Sequence, residues 1–259
     1  MGVLNVTPDS FSDGGQYALL DAAVKQACIM VSAGADIIDI GGESTRPNAT
    51  PVSVEEELAR VIPVIRAIRS NSDAVISIDT SKAEVMKRAV EAGANMINDV
   101  YALRQLGAID IAASLNVPVC LMHMQATPES MQEAPSYTNI VEQVNEFFVE
   151  RLGACISAGI KKENIILDPG FGFGKTLQHN LSLLANLNSF KVHGCPILAG
   201  LSRKSMLGEL LGKQVNERVI GSVSAALMAV VNGASIVRVH DVAQTSDALK
   251  IYNALHSVN

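Results

Sequence analysis

The chain has 259 residues, of which 48% are apolar and 18% are charged, and its formal net charge is −6. A chain of this size can bury a large core, and an α/β barrel typically needs about 250 residues, so one large domain is permitted. The acidic balance argues against a general nucleic-acid or anionic-membrane surface, because both need excess Lys and Arg. Any anionic ligand must therefore meet a local cluster of positive charge.

The cysteines and the apolar runs indicate the compartment. Cys28, Cys120, Cys155 and Cys195 lie far apart with no C-x-x-C pair, whereas a disulfide scaffold or a zinc finger needs closer spacing. We interpret them as reduced thiols, mostly in the core. No run of about 18 apolar residues lacks a charge, and the N-terminus has no basic segment leading into an apolar one. A cytoplasmic location is expected.

Eight short apolar runs, most of which end in a polar residue, predict strands. They span residues 3–6, 34–40, 74–79, 93–98, 117–123, 159–168, 196–202 and 233–238. Four of them begin at a glycine that suits a left-handed helix end. Helical patterns lie between them at 19–33, 53–68, 82–92, 137–158 and 216–231, and Ser53 with Glu56 forms a capping box. The alternation predicts a parallel sheet closed into a (β/α)₈ barrel, one domain over residues 1–259 with no linker.

The residues that end the strands are candidates for chemistry, because barrel active sites lie at the carboxyl ends of the strands. These residues are Asn5, Asp39, Asp79, Asn98, His123, Asp168, Ser202 to Lys204, Arg238 and His240. For any one of them, capping the next helix is an equally good explanation. Three long loops, residues 7–15, 41–51 and 125–135, follow early strands, and the first two carry Asp13, Thr45 and Arg46 at positions suited to cover a substrate.

The stretch 168–176 contains Gly-Lys-Thr, which invites comparison with a phosphate-binding loop. That motif needs a glycine where this chain has Pro169, so we reject it. The glycines instead suit close backbone approach to a flat ligand, with Phe173 as a stacking face and Phe171 in the core.

Two cationic groups are predicted. Arg203 and Lys204 precede a helix, where free N–H groups favour an anion. Lys204 has an alternative role as a Schiff-base lysine, as in barrel aldolases, which needs a depressed pKa. Arg238 and His240 alternate along the last strand and so point the same way, forming a second cationic site suited to phosphate or pyrophosphate.

Taken together, these residues resemble the dihydropteroate synthases, the folate-pathway enzymes inhibited by sulfonamides. The matching blocks span residues 2–15, 39–47, 77–82, 97–99, 121–124, 168–175, 202–205 and 238–240, in the family's order. The resemblance implies a (β/α)₈ barrel, usually a homodimer, that condenses p-aminobenzoate with dihydropterin-hydroxymethyl pyrophosphate and releases pyrophosphate.

The resemblance also implies residue roles. It assigns the pterin to Asp79, Asn98, Met122, Asp168 and Lys204, and acid acceptors suit the ring's N–H edge. It assigns pyrophosphate to Asn5, Arg238 and His240, with Mg²⁺ reached through Asn5. It assigns p-aminobenzoate to Phe11, Thr45, Arg46, Pro47, Phe173 and Ser205, with Asp13 closing over it.

No residue is placed to form a covalent intermediate, so we expect a dissociative displacement in which cations and Mg²⁺ stabilise the departing pyrophosphate and the acids stabilise a pterin cation. Asp13 and the released pyrophosphate are both candidate acceptors for the amine proton. Asp79, Asp168, Lys204, Asp13 and Arg46 are the expected catalytic group.

Two departures from the family and two alternative functions remain. Met1 lies almost inside the first strand, where family members carry a leading segment, and we expect this to affect stability and not the site. Asn48 replaces a common glycine and is expected to stiffen its loop. One alternative is a methyltransferase barrel acting on methyltetrahydrofolate, which would share Asp79, Asn98 and Asp168. The other is a non-catalytic pterin or phosphate sensor.

Overall fold

The computed structural model describes residues 1–7, 16–44, 50–125 and 135–257, with residues 16–18 described by their backbone alone. Eight strands alternate with nine α-helices in that part of the chain. The strands are β1 Gly2–Asn5, β2 Ile37–Gly41, β3 Val75–Asp79, β4 Met96–Asp99, β5 Val119–Met122, β6 Ile165–Asp168, β7 Leu198–Ala199 and β8 Ile236–Val237. The helices are α1 Gln16–Ser32, α2 Val54–Asn71, α3 Ala83–Glu91, α4 Ala108–Leu115, α5 Ile140–Ser157, α6 Leu177–Ala185, α7 Ser205–Leu211, α8 Val219–Val231 and α9 Val242–His256.

The strands form a closed parallel ring. β1 to β6 pair in sequence order, and β7 pairs with β8. Parallel bridges between Leu167 and Ile197 and between Gly2 and Val239 join the two sheets at both sides. The backbone N–H of Val3 donates to the carbonyl of Val239 over 3.0 Å, which completes the ring. The predicted (β/α)₈ barrel is confirmed.

Two apolar layers stabilise the barrel. Outward-facing residues of the strands, among them Ile38, Ile78 and Leu121, pack against the helices in the large core. A smaller cluster of Met1, Met96, Cys120, Ile166 and Leu198 fills the inside of the ring. Because side chains alternate along a strand, the residues two positions beyond Met96, Cys120 and Ile166 also face inward. The inner layer therefore lies beneath the polar residues at the carboxyl ends.

Local backbone features match most of the sequence predictions. Gly34, Gly93, Gly159 and Gly233 all adopt positive φ at helix ends, as expected. The predicted capping box at α2 is only half formed, since Ser53 accepts from the N–H of Glu56 but the Glu56 carboxylate pairs with Arg60. Cys28 is exposed and the other three cysteines are buried, all as free thiols. In the described ranges, no helix has both the length and the apolarity to cross a membrane.

Candidate active site

Several polar residues lie in one row at the carboxyl end of the barrel. Asn5 is in register with Gly41, Gly41 with Asp79, and Asp79 with Asn98. Further round the ring, Met122 is in register with Asp168. The strand pairing thus brings together residues that are up to 163 positions apart, and it does so where barrel enzymes place their chemistry.

Arg238 links two acids across this row. Its Nε donates to Asp39 Oδ2 at 2.6 Å, and its Nη2 donates to Asp79 Oδ2 at 2.7 Å. Asn98 Nδ2 donates to the same Asp39 oxygen at 3.1 Å. The sequence prediction left Asp39 without a role, yet it is fully buried and organises two of the predicted site residues. The strand pattern could have indicated this position. Asp39 lies two residues before Gly41, the last residue of β2, and alternation along a strand puts both on the inward face.

Burial and charge set the protonation of this group. Desolvation raises the pKa of Asp79 to about 7, against the opposing effect of Arg238. Burial acts to lower the pKa of Arg238, but Asp39 and Asp79 outweigh it and raise that pKa above its usual value. Arg238 therefore stays charged, while Asp79 titrates near neutral pH.

Lys204, Asp168 and Phe173 form the opposite wall. Lys204 Nζ lies 4.1 Å from the centre of the Phe173 ring. Phe173 packs against Val100, Met122 and Met124, in an apolar patch that suits a flat ring. Burial lowers the pKa of Lys204 to about 8, helped by Arg238 and opposed by Asp168 and Asp79. A lysine with this pKa is mostly protonated at pH 7, which suits a hydrogen-bond donor better than the Schiff-base role.

Asp168 faces the same pocket from β6. It is buried, its Oδ1 accepts the N–H of Gly170 at 2.7 Å, and burial raises its pKa. Asp79 and Asp168 end β3 and β6 at the same end of the barrel, and both oppose the lowering of the Lys204 pKa.

The chain is similar to proteins of known function along nearly its whole length. Residues 1–240 match the pterin binding enzyme family. The dihydropteroate synthase of Haemophilus influenzae is 57% identical over 254 residues, which is 98% of this chain and 92% of the relative. The structure of the Xanthomonas albilineans dihydropteroate synthase with 4-aminobenzoic acid is 53% identical and superposes with a TM-score of 0.95. The match covers 100% of this chain and 93% of that one. That of the Yersinia pestis enzyme with a sulfonamide drug is 51% identical with a TM-score of 0.95, over 99% of this chain and 94% of that one.

The chain belongs to the dihydropteroate synthases. Membership of this enzyme family decides against the methyltransferase and the non-catalytic sensor. Among the site residues expected of a dihydropteroate synthase, the barrel brings Asn5, Asp79, Asn98, Met122, Asp168, Phe173, Lys204 and Arg238 to one end. The expected residues Phe11, Asp13, Thr45, Arg46 and Pro47, together with Asn48, lie outside the described residues.

Two predictions about charged or polar residues at this dihydropteroate synthase site were wrong, those for Arg203 and His123, and the pyrophosphate role of His240 stays a prediction. Arg203 pairs with Asp241 at 3.1 Å, in a left-handed backbone conformation, so it does not add to a cationic group around Lys204. His240 has its pKa lowered to about 4 by burial and by Arg238, so it is neutral at pH 7. Its Nδ1 lies 3.0 Å from Ser202 Oγ.

The second wrong prediction is His123. Its ring packs edge-on against Phe147 at 4.9 Å between centroids, and burial lowers its pKa to about 2. Because Met122 faces the pocket, its neighbour His123 points to the helices, as strand alternation requires. His123 is therefore a core residue.

A cavity of about 360 Å³ adjoins the site where α6 and α7 begin. Ser205, the first residue of α7, lines it together with Lys175, Asn180 and Glu209. The volume lies at the lower end of the range for small-molecule sites.

A cluster of Glu43, Glu57 and Lys82 lies outside the pocket and was missed in the sequence. Lys82 Nζ lies 2.5 Å from Glu43 Oε2 and 2.5 Å from Glu57 Oε2. Glu57 is fully buried, and Glu43 Oε1 accepts the N–H of Val52 at 2.9 Å. This acid–lysine cluster ties the end of β2 to the start of α2, on either side of residues 45–49.

Proposed function

We propose that the protein joins 6-hydroxymethyl-7,8-dihydropterin pyrophosphate to p-aminobenzoate, giving 7,8-dihydropteroate and pyrophosphate, through a dissociative displacement at the carboxyl end of the barrel. Family membership carries the activity, which makes the protein a transferase of folate biosynthesis and a sulfonamide target. The observation that carries the residue roles is the convergence of Asp79, Asp168, Lys204 and Arg238 on one pocket. Had these four side chains opened onto separate surfaces, no common substrate could join them.

The pterin is assigned to the two buried acids and their neighbours. Asp79 and Asp168 accept from the amino and ring N–H groups of the pterin, Asn98 adds an amide, and Lys204 donates to its carbonyl side. Met122 packs against the ring face. Burial of Asp168, which is 6% exposed, supports this assignment, because a buried acceptor gains most from a matching donor, and the Asp79 side chain is only 12% exposed.

Pyrophosphate is assigned to Asn5, Arg238 and His240. Arg238 uses Nε and Nη2 for Asp39 and Asp79, and in the described residues its Nη1 makes no hydrogen bond, so N–H groups remain for phosphate oxygens. His240 is neutral before binding, and a phosphate beside it would raise its pKa.

The donor set fits Mg²⁺ at Asn5. The Asn5 side-chain oxygen and Asp79 Oδ2 both lie within 3.8 Å of where a Cβ on Gly41 would stand. Amide and carboxylate oxygens are the hard ligands that Mg²⁺ takes alongside phosphate and water. In the part of the chain that the structure describes, no group of three or more His, Cys, Asp or Glu side chains could hold a metal ion. When bound, Mg²⁺ neutralises charge on the leaving pyrophosphate.

For p-aminobenzoate, Phe173 supplies the ring contact and Ser205 the carboxylate contact, beside the cavity between α6 and α7. Phe11, Thr45, Arg46 and Pro47 are proposed to complete this subsite, and Asp13 to cover it. Arg238 stabilises the departing pyrophosphate, the acids stabilise a pterin cation, and the amine then attacks it. The amine proton passes to Asp13 or to the released pyrophosphate.

Homodimer formation is proposed for the face formed by α8 and α9. Ile220 and Met228 on α8 and Ile251 and Leu255 on α9 are exposed, and the two helices pack side by side. Exposed apolar residues on two neighbouring helices are a candidate for such an interface. Ile220→Glu should convert a dimer to a monomer in light scattering, whereas Leu106→Glu, at an exposed leucine far from this face in the chain, should not. We also propose that the protein is cytoplasmic.

A pyrophosphate-release assay tests the activity. Release should require both p-aminobenzoate and the pterin pyrophosphate. A sulfonamide should inhibit it, and added p-aminobenzoate should restore it, because the two compete for one subsite. Release without p-aminobenzoate, or inhibition insensitive to it, would contradict the proposal.

A further inference from the structure

Lys175 is a buried lysine that the proposed reaction does not use. It is 4% exposed, and its Nζ donates to three backbone carbonyls: Phe173 at 2.8 Å, Gly170 at 2.9 Å and His123 at 3.2 Å. An ammonium group has three N–H donors, so all of them are used within the protein. Lys175 therefore cannot also bind an anion, and its role must be sought in the backbone that it holds.

The three carbonyls belong to three parts of the pocket wall. His123 follows Met122 at the end of β5. Gly170 donates its N–H to Asp168 Oδ1 at 2.7 Å. The ring of Phe173 lies against Lys204 and Met122. One cation thus joins the end of β5, the segment beside Asp168 and the backbone that carries the p-aminobenzoate-stacking ring.

Residues 170–174 need such a cation because three of them are glycines, whose backbone can adopt many conformations. Gly170, Gly172 and Gly174 all have positive φ, between 60° and 80°. A Cβ on Gly170 would overlap the carbonyl oxygen of His123. Only glycine at this position therefore allows the chain after β6 to lie this close to the end of β5. Glycines lose more conformational freedom on ordering than other residues, and the bonds from Lys175 offset that cost.

Asn180 of α6 holds the same segment from its other side. Its Oδ1 accepts the N–H of Gly172 at 2.7 Å, and its Nδ2 donates to the carbonyl of Lys175 at 3.3 Å. The Phe173 backbone therefore lies between two buried anchors.

We propose that Lys175 is a positioning residue for p-aminobenzoate, which acts by fixing the backbone of Phe173 and does not touch the substrate. The inference rests on the proposed assignment of Phe173 to p-aminobenzoate and goes beyond it, since no role of Lys175 enters that assignment.

The charge on Lys175 gives this role a pH signature. Burial lowers its pKa to about 7, with Asp168 raising it and Lys204 lowering it further. Among the other titratable groups packed nearby, His123 and His179 have lowered pKa values, burial raises the pKa of Tyr137 to about 12, and Glu209 lines the adjoining cavity. A protonated Lys175 makes three bonds and a neutral amine only two. The KM for p-aminobenzoate should therefore rise as pH increases through 7.

The test compares Lys175→Met with the wild-type protein from pH 6 to 8.5. Methionine keeps the length and removes the donors. At pH 6 we expect the KM for p-aminobenzoate to rise about tenfold, the size of one hydrogen bond from a charged group. The affinity for the pterin pyrophosphate, from calorimetry, should change less than about threefold on the same scale. The ratio of the two KM values should fall between pH 6 and pH 8.5 but stay above one, because a neutral lysine keeps two of its three donors.

Lys161→Met, at an exposed lysine, is the matched control and should behave as wild type. Lys175→Gln retains two donors and should give an intermediate KM, which keeps the test valid if the methionine variant does not fold. Equal losses for both substrates, an unchanged KM, or a wild-type KM that is flat with pH would overturn the proposal. A wild-type protein that releases no pyrophosphate would count against the proposed function instead.

Discussion

Replacing Arg238 with methionine removes the cation that links two buried acids. Arg238 bonds Asp39 at 2.6 Å and Asp79 at 2.7 Å, and the Asp39 side chain is fully buried. Losing one partner of a buried ion pair costs about 3–5 kcal/mol, because a charge is left uncompensated. Asp79, with a pKa already near 7, can take up a proton, whereas the fully buried Asp39 loses its ion-pair partner. We therefore expect a loss of about 3–5 kcal/mol in the free energy of unfolding at pH 8.

The pH dependence gives the sharper test. Arg238 lowers the pKa of Asp79, so its removal raises that pKa further above the unfolded value. A carboxyl group with a raised folded pKa favours the folded state at low pH and loses that advantage as pH rises. The loss for Arg238→Met should thus be smaller at pH 5.5 than at pH 8 in urea unfolding. Arg88→Met, whose ion pairs with Glu84 and Glu91 are exposed, should leave both curves unchanged. A loss under about 1 kcal/mol at both pH values would refute the reasoning.

Further predictions concern the ligands. Arg238→Met should weaken binding of the pyrophosphate-bearing pterin far more than binding of free pterin, and equal losses in calorimetry would argue against a pyrophosphate contact. Asp168→Ala should cost about 3 kcal/mol in pterin binding, since it strands a buried donor edge, and near-normal affinity would contradict this. The kcat/KM for the pterin substrate should rise through pH 7 as Asp79 ionises and fall above pH 8 as Lys204 loses its proton. In Asp79→Asn, the rise of kcat/KM through pH 7 should disappear and the fall above pH 8 should remain. If the rise persists in this variant, a group other than Asp79 causes it.

The barrel was predictable because its signals are local. Each strand is a short apolar run, and glycines such as Gly34 and Gly93 mark the helix ends that precede strands. The closure of the ring was inferred from the number of strands and from the family resemblance. It depends on pairings such as Gly2 with Val239, whose partners are too far apart in the chain for any pattern to link them.

The site was predicted by residue type and by family resemblance, but its pairings were not. Asp39 and Arg238 are separated by 199 positions, so their ion pair could not be read from the sequence. The error at His123 was avoidable, because inward-facing Met122 fixes the opposite direction for its neighbour. The error at Arg203 could not be avoided, because the direction of the Arg203 side chain follows from a positive φ that a non-glycine residue seldom adopts.

The acid–lysine cluster of Glu43, Glu57 and Lys82 lets the segment 45–49 vary in sequence without loss of its anchoring ion pairs. It fixes both ends of the segment 45–49 through side chains that belong to β2, α2 and the residues before α3. Sequence changes within the segment leave these anchoring groups intact. In the proposed p-aminobenzoate subsite, changes at residues 45–47 are therefore expected to alter inhibitor binding at little cost to folding, whereas a change at Glu57 is expected to lower the stability of the barrel.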